Sequence, residues 1–203
     1  KMLNKKLFLA FLFFNFLFSH PTIFKGGKVF WITQQPNSFD LRFGRSLSAN
    51  WLIGGRFYED KSTNESFGLI NNNYLLKRWN APNSQANIYL LSSLGSEIET
   101  SKTLASLGIH ADWEDRRFMV MQMTEYYSHS STWMSDTRLA ISPFLVDYSR
   151  MSTWLIAHYK ISFKDGDQTS DLLPIVRLFK FNYLIEFGAN KDKDIFLSFM
   201  LHF

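Results

Sequence analysis

The stretch DIFLSFMLHF, residues 194–203, places Ile195, Leu197, Phe199, Leu201 and Phe203 at every second position. In an extended strand successive side chains point to opposite faces, so all five share one side. A soluble domain gains little from burying an aromatic at a fraying chain end. A strand whose outer face meets lipid gains from every one of the five.

The same alternation recurs backwards through the chain. Runs of about ten residues, bounded by Gly, Asn, Asp or Ser clusters, cover 38–46, 49–59, 65–78, 86–95, 104–113, 117–127, 137–147, 151–162, 174–187 and 194–203. The segment 28–34 is either a further strand or a lead-in. The expectation is an all-β chain: an antiparallel up-and-down transmembrane β-barrel of about ten strands, within a range of eight to twelve. Long helical periodicity is absent, and 21 Phe, 8 Tyr and 6 Trp suit strands and membrane interfaces. Strands near ten residues with aromatic ends match the length and girdles of a membrane barrel.

The first residues, KMLNKKLFLAFLFFNFLFSHP, carry Lys1, Lys5 and Lys6 before an apolar run from Leu7 to Phe18 broken only by Asn15. This run is too short for a spanning helix and has the layout of a secretory signal. We therefore expect a signal peptide over 1–24, cleaved between Ser19 and Phe24, and a single barrel domain over 25–203. Removing the three lysines takes the basic count from 22 to 19 against 18 acids, and the formal charge from +4 to +1. No electrostatic case for a nucleic-acid partner remains. The absence of cysteine excludes disulfides, thiolate chemistry, Cys-ligated zinc and a lipoprotein anchor.

With Phe203 last and Ile195, Leu197, Phe199 and Leu201 before it, the C-terminal segment resembles the insertion signature of bacterial outer-membrane β-barrel proteins. Phe199 and Leu201 stand where that class often has Tyr. The resemblance implies an outer-membrane location in a Gram-negative bacterium, and contact with the barrel-insertion machinery and outer-membrane lipid. It is silent on activity. With the C-terminus periplasmic, 188–194 becomes an outer loop, and the ten-strand count sends 59–65, 96–103, 128–136 and 163–174 to the periplasmic side. Barrels of this class normally carry their longer loops outside. Either a strand is miscounted near 163–187, or the outer loops are short.

The polar faces of the strands carry Asp40, Arg42, Arg56, Arg138, Lys160, Lys180 and Glu186. A barrel of eight to ten strands is just filled by its inward side chains, so these seven are expected to form a lumen network of ion pairs and hydrogen bonds. A narrow polar path for water or small ions is the functional alternative.

Two stretches invite chemistry. In GIHADWEDRRFMVMQMTEYY (108–127), a turn at Asp115 and Arg116 pairs Glu114 with Arg117 and His110 with Met121. It sets Met119, Met121 and Met123 on the lumen face with His110. Thioethers and imidazole suit soft ions such as Cu(I) or Ag(I); the plainer reading is that the three methionines fill space or face lipid, because a turn one residue longer reverses their face. In SHSST (128–132), His129 and Ser131 faintly resemble the pair of outer-membrane lipid A deacylases, with Glu125 near enough in sequence to orient the base. A solvated Ser-rich loop reads the same way.

The leading expectation is a non-enzymatic outer-membrane protein with a packed polar lumen, structural or bound to an envelope protein partner, and without a cofactor. The alternatives are a lipid-modifying enzyme, a soft-metal barrel, and a soluble periplasmic barrel whose aromatic faces line a ligand pocket.

Overall fold

The computed structural model describes residues 25–147 and 150–203. The expected signal peptide, with its cleavage region, lies outside these residues. Twelve antiparallel strands follow one another around a closed barrel, each paired with its chain neighbours. They are β1 (Lys28–Gln34), β2 (Ser38–Ser46), β3 (Trp51–Asp60), β4 (Glu65–Asn80), β5 (Ser84–Glu97) and β6 (Thr103–Asp115). The second half is β7 (Phe118–Tyr127), β8 (Thr132–Ile141), β9 (Ser152–Lys164), β10 (Asp167–Lys180), β11 (Tyr183–Ala189) and β12 (Ile195–His202). The seam pairs β1 with β12, from Val29 opposite His202 to Gln34 opposite Leu197.

Two strands separate this count from ten. KVFWITQ is β1, and closure depends on it. The run 174–187 is not one strand but the end of β10, a two-residue turn at Phe181 and Asn182, and β11. The alternation of Phe179, Phe181, Tyr183 and Ile185 runs through this turn without Gly or Pro to mark it. Phe181 adopts a positive φ of 55°, a conformation usually left to glycine. The Asn182 side-chain amide donates to the His202 carbonyl at 2.6 Å and ties the turn to β12. A third shift concerns β8, which begins at Thr132 rather than 137. Its outward Ser135 and Thr137 interrupt the apolar alternation that would have marked it.

The extra hairpin reverses the side assigned to the connections. Residues 61–64, 98–102, 128–131, 165–166 and 190–194 all lie at the end opposite Lys28 and Phe203. All five are short, and the miscounted strand within 163–187 is what placed them at the other end. The longest connection, 142–151, lies at the Lys28 end.

Apolar side chains cover the outside. On β12, Ile195 and Leu197 are exposed, Phe199 and Leu201 are partly so, and Phe196, Ser198, Met200 and His202 are buried inside. Leu107, Ile109 and Trp113 on β6, and Leu139 and Ile141 on β8, are exposed in the same way. The aromatic stripes therefore face outward and do not line an internal pocket, which removes the geometry that the soluble ligand-binding alternative requires.

Where a neighbouring backbone comes close, glycine admits it. A Cβ on inward Gly54 would lie 2.1 Å from the Phe43 carbonyl oxygen, whereas one on outward Gly55 meets nothing within 4 Å. On β4 a bulge between Leu75 and Lys77 leaves Leu76 unpaired, and the outward parity resumes with Lys77 opposite Ile88.

Candidate functional site: the lumen

The inward residues fall into apolar clusters and charged groups. Near β7 to β12, Met119, Ala140, Ile156, Leu173, Ile175 and Phe196 pack together. Phe67, Leu69, Leu104 and Tyr127 form a second cluster, with Tyr58 and Met134 against it. These contacts join strands that are not neighbours, so the side chains meet across the bore. Eight strands make a barrel that side chains just fill, and twelve enclose a wider section. Arginines, tyrosines and methionines span the difference here.

Between these clusters lie the charges. Asp40 accepts from Arg42 (Nη2–Oδ2 2.6 Å) and from Arg56 (Nη2–Oδ2 2.8 Å). Arg56 then reaches from β3 to β7, its Nη1 3.9 Å from Glu125 Oε1. The Arg56 guanidinium lies 5.0 Å from the centroid of Tyr58 and 6.0 Å from that of Tyr127, and these two rings stack at 6.4 Å. Glu125 is further held by Ser106 Oγ at 2.6 Å and the Tyr127 hydroxyl at 2.7 Å. Both charges are almost wholly removed from solvent, so each depends on the other and on these donors.

A second group centres on Glu186 of β11. Arg177 Nε donates to it at 2.7 Å, and Arg138 Nη1 from β8 at 3.2 Å. His158 Nε2 is 2.7 Å from Asp136 Oδ1. Lys160 Nζ donates to Gln35 Oε1, crossing from β9 to the β1–β2 turn. A third chain stays on the wall of β4 to β6: Arg78 Nε donates to Asn87 Oδ1, Asn87 Nδ2 to Asp112 Oδ1, and His110 Nε2 lies 2.9 Å from Asp112 Oδ2.

Asp40, Arg42, Arg56, Arg138, Lys160 and Glu186 thus point inward, and Lys180 does not. It is exposed on the outer parity of β10, its Nζ 5.4 Å from the Phe181 ring centroid. The hidden turn at Phe181 is the cause, because it breaks the parity that linked Lys180 to Glu186. The same break hid Arg177, which a continuous strand over 174–187 assigns to the outer face. Asp136 was hidden by reading 128–136 as a connection.

The methionines lie on the lumen face in a register two residues from the expected one, with Glu114 opposite Met119 and His110 opposite Met123. The two-residue turn is Arg116 and Arg117, because Asp115 Oδ1 accepts from the backbone N–H of Arg117 and of Phe118, both at 2.6 Å. A shift of two keeps every side chain on its face. The sulfurs are dispersed: Met119 belongs to the first apolar cluster and receives Arg177 Nη1 at 3.5 Å, while Met123 packs on Leu75, Tyr89 and Leu91. No group of three His, Asp or Glu able to hold a metal occurs among the described residues.

His129 and Ser131 lie in the connection 128–131. His129 Nε2 is 2.7 Å from Glu65 Oε2, and its ring lies 4.8 Å from that of Phe67. Glu125 is engaged by Arg56, Ser106 and Tyr127, and among the described residues no hydrogen bond joins Ser131 to His129 or to Glu125. The three candidates are not assembled into a nucleophile, a base and its orienter.

No family model matches this sequence, and no curated protein matches it. Among solved structures the chain is similar to a KdgM porin at 11% identity and a TM-score of 0.55, over 87% of this chain and 98% of that one. That likeness shows the fold, a closed antiparallel barrel.

Proposed function

We propose that this chain is a small outer-membrane barrel whose bore is closed by its own side chains. It serves a structural or partner-binding role in the envelope of a Gram-negative bacterium and performs no catalysis. The observation that carries this reading is the Arg56–Glu125 contact between β3 and β7, with Tyr58 stacked on Tyr127 beside it. A buried charge pair with its own tyrosine and serine donors is costly to separate, and separating it would be required to pass a solute. The outward apolar belt supports a lipid surround.

A second reading is a narrow pore that opens from this closed arrangement, favoured by the porin named among similar structures. Conductance of the folded chain in a planar bilayer separates the two. The closed-barrel reading predicts a silent membrane at moderate voltage. Steady, long-lived conductance steps from the unmodified chain would replace it with the pore reading.

A further inference from the structure

Charge is distributed unevenly between the two ends of the barrel. At the Lys28 end the strand ends and turns carry Lys28, Arg45, Lys77, Arg116, Arg117 and Lys180, all exposed. Among the described residues the acidic side chains on the turns and strand ends there are Asp147, Asp115, which is committed to the β6–β7 turn, and Glu114, which is buried inside. The opposite end carries Asp60, Glu99, Asp165, Asp167, Asp192 and Asp194 on or beside its connections, interspersed with lysines.

The lysines at the basic end have a common posture. Lys28 Nζ is 5.4 Å from the centroid of Phe203, Lys77 Nζ 5.9 Å from that of Trp79, and Lys180 Nζ 5.4 Å from that of Phe181. Each ammonium stands over an exposed aromatic ring, as a long cation does at the boundary between an apolar belt and a polar surface.

At the seam this arrangement becomes a site. Lys28 and Arg45 stand directly opposite each other on β1 and β2, both outward and both exposed. Like charges directly across a ladder repel. Neither has an acidic partner among the described residues. Below them Phe43 and Phe203 meet at 6.4 Å between centroids, each about half exposed. The Lys28 and Phe203 backbones exchange two hydrogen bonds, 2.6 and 3.0 Å, which fixes ammonium and ring together.

We infer that Lys28 and Arg45, above the Phe43–Phe203 shelf, bind the phosphate of an anionic phospholipid headgroup, its acyl chains lying along the aromatic shelf and the apolar belt. A phosphodiester relieves the repulsion of the two cations, and the guanidinium offers it paired donors. The aromatic floor, continuous with the belt, selects a lipid over a free phosphate. The inference rests on the membrane reading above.

The test is native mass spectrometry of the folded, delipidated full chain in detergent, titrated with phosphatidylglycerol, with phosphatidylcholine, and separately with inorganic phosphate. The expected result is a preference for phosphatidylglycerol that falls about thirtyfold in the Lys28→Gln, Arg45→Gln double variant, following the usual contribution of two basic residues at an anionic surface. The preference should survive Lys191→Gln at the opposite end, and millimolar inorganic phosphate should not displace the lipid. Equal binding of the two lipids, or a preference retained in the double variant, overturns the site. Displacement by inorganic phosphate makes it a free-anion site and overturns the lipid assignment. Retention of the heat-resistant compact band by each variant confirms that folding is intact. A chain that inserts into no bilayer, whatever its lipid, removes the membrane reading and this inference with it.

Discussion

Arg56 and Glu125 stand on strands four places apart, and their side chains nevertheless meet across the lumen, Nη1 to Oε1 at 3.9 Å. The contact ties one wall of the barrel to the other where the sheet alone leaves a gap. Asp40, Ser106, Tyr58 and Tyr127 hold the pair from both sides. The buried inward residues thus combine charged side chains with aromatic and aliphatic ones.

Removing one partner leaves the other buried and unpaired. Arg56→Ala or Glu125→Ala should each cost on the order of 3 to 5 kcal/mol, while the paired replacement Arg56→Met with Glu125→Leu should lose less than the sum of the two, Asp40 keeping only Arg42 as its donor. Urea unfolding of the reconstituted barrel, followed by tryptophan fluorescence, measures all three. A loss in the double variant equal to the sum of the two single losses would show that the two residues act independently.

Two adjacent glycines should respond in opposite directions. Gly54→Ala forces a Cβ to 2.1 Å from the Phe43 carbonyl and should destabilise the β2–β3 ladder by more than about 1 kcal/mol. Gly55→Ala meets nothing within 4 Å and should be neutral or stabilising by about 0.5 to 1 kcal/mol through reduced freedom of the unfolded chain. The same unfolding assay decides this, and equal effects would contradict the strand faces assigned here.

A cation on the outer belt should be costly where a cation inside is tolerated. Ile185 is exposed near the middle of β11, opposite Phe199. Ile185→Arg should lose about 2 to 4 kcal/mol or fail to insert. In a water-soluble barrel the same change would be harmless, so a variant that folds as well as its parent would count against lipid contact.

Silver and copper ions should leave the melting temperature unchanged. Met119 and Met123 sit in separate apolar clusters, and His110 is bound to Asp112. A ligand that binds only the folded state raises stability with its concentration. A dose-dependent rise with Ag(I) would reinstate a soft-metal site on this face.

The sequence was informative wherever period 2 was uninterrupted. The outward stripe of β12 and the faces of β2, β3 and β9 follow directly from it, because successive side chains on a strand point to opposite sides of the barrel wall. It was misleading at Phe181, where a turn occurs without Gly or Pro and the apolar period continues across it. That one turn hid a strand, reversed the parity of Arg177 and Lys180, and sent the connections to the wrong end. Ser135 and Thr137 obscured β8 for the complementary reason, since polar residues on an outer face imitate a loop. The methionine register was off by two because Asp115 caps a turn one residue later than its position suggested, and an even shift leaves the faces untouched. The Arg56–Glu125 bridge was beyond any periodicity argument. It depends on how near two non-neighbouring walls come, a property of closure and strand number.

The most direct test of the account is the gel mobility of the detergent-extracted chain with and without boiling, with its distribution between membrane and aqueous fractions. A closed barrel wearing its apolar belt outside should stay in the membrane fraction and, unboiled, run faster than the boiled chain as a compact, detergent-resistant band. A single band unchanged by boiling, with the chain recovered in the aqueous fraction, would contradict the claim that these strands face lipid.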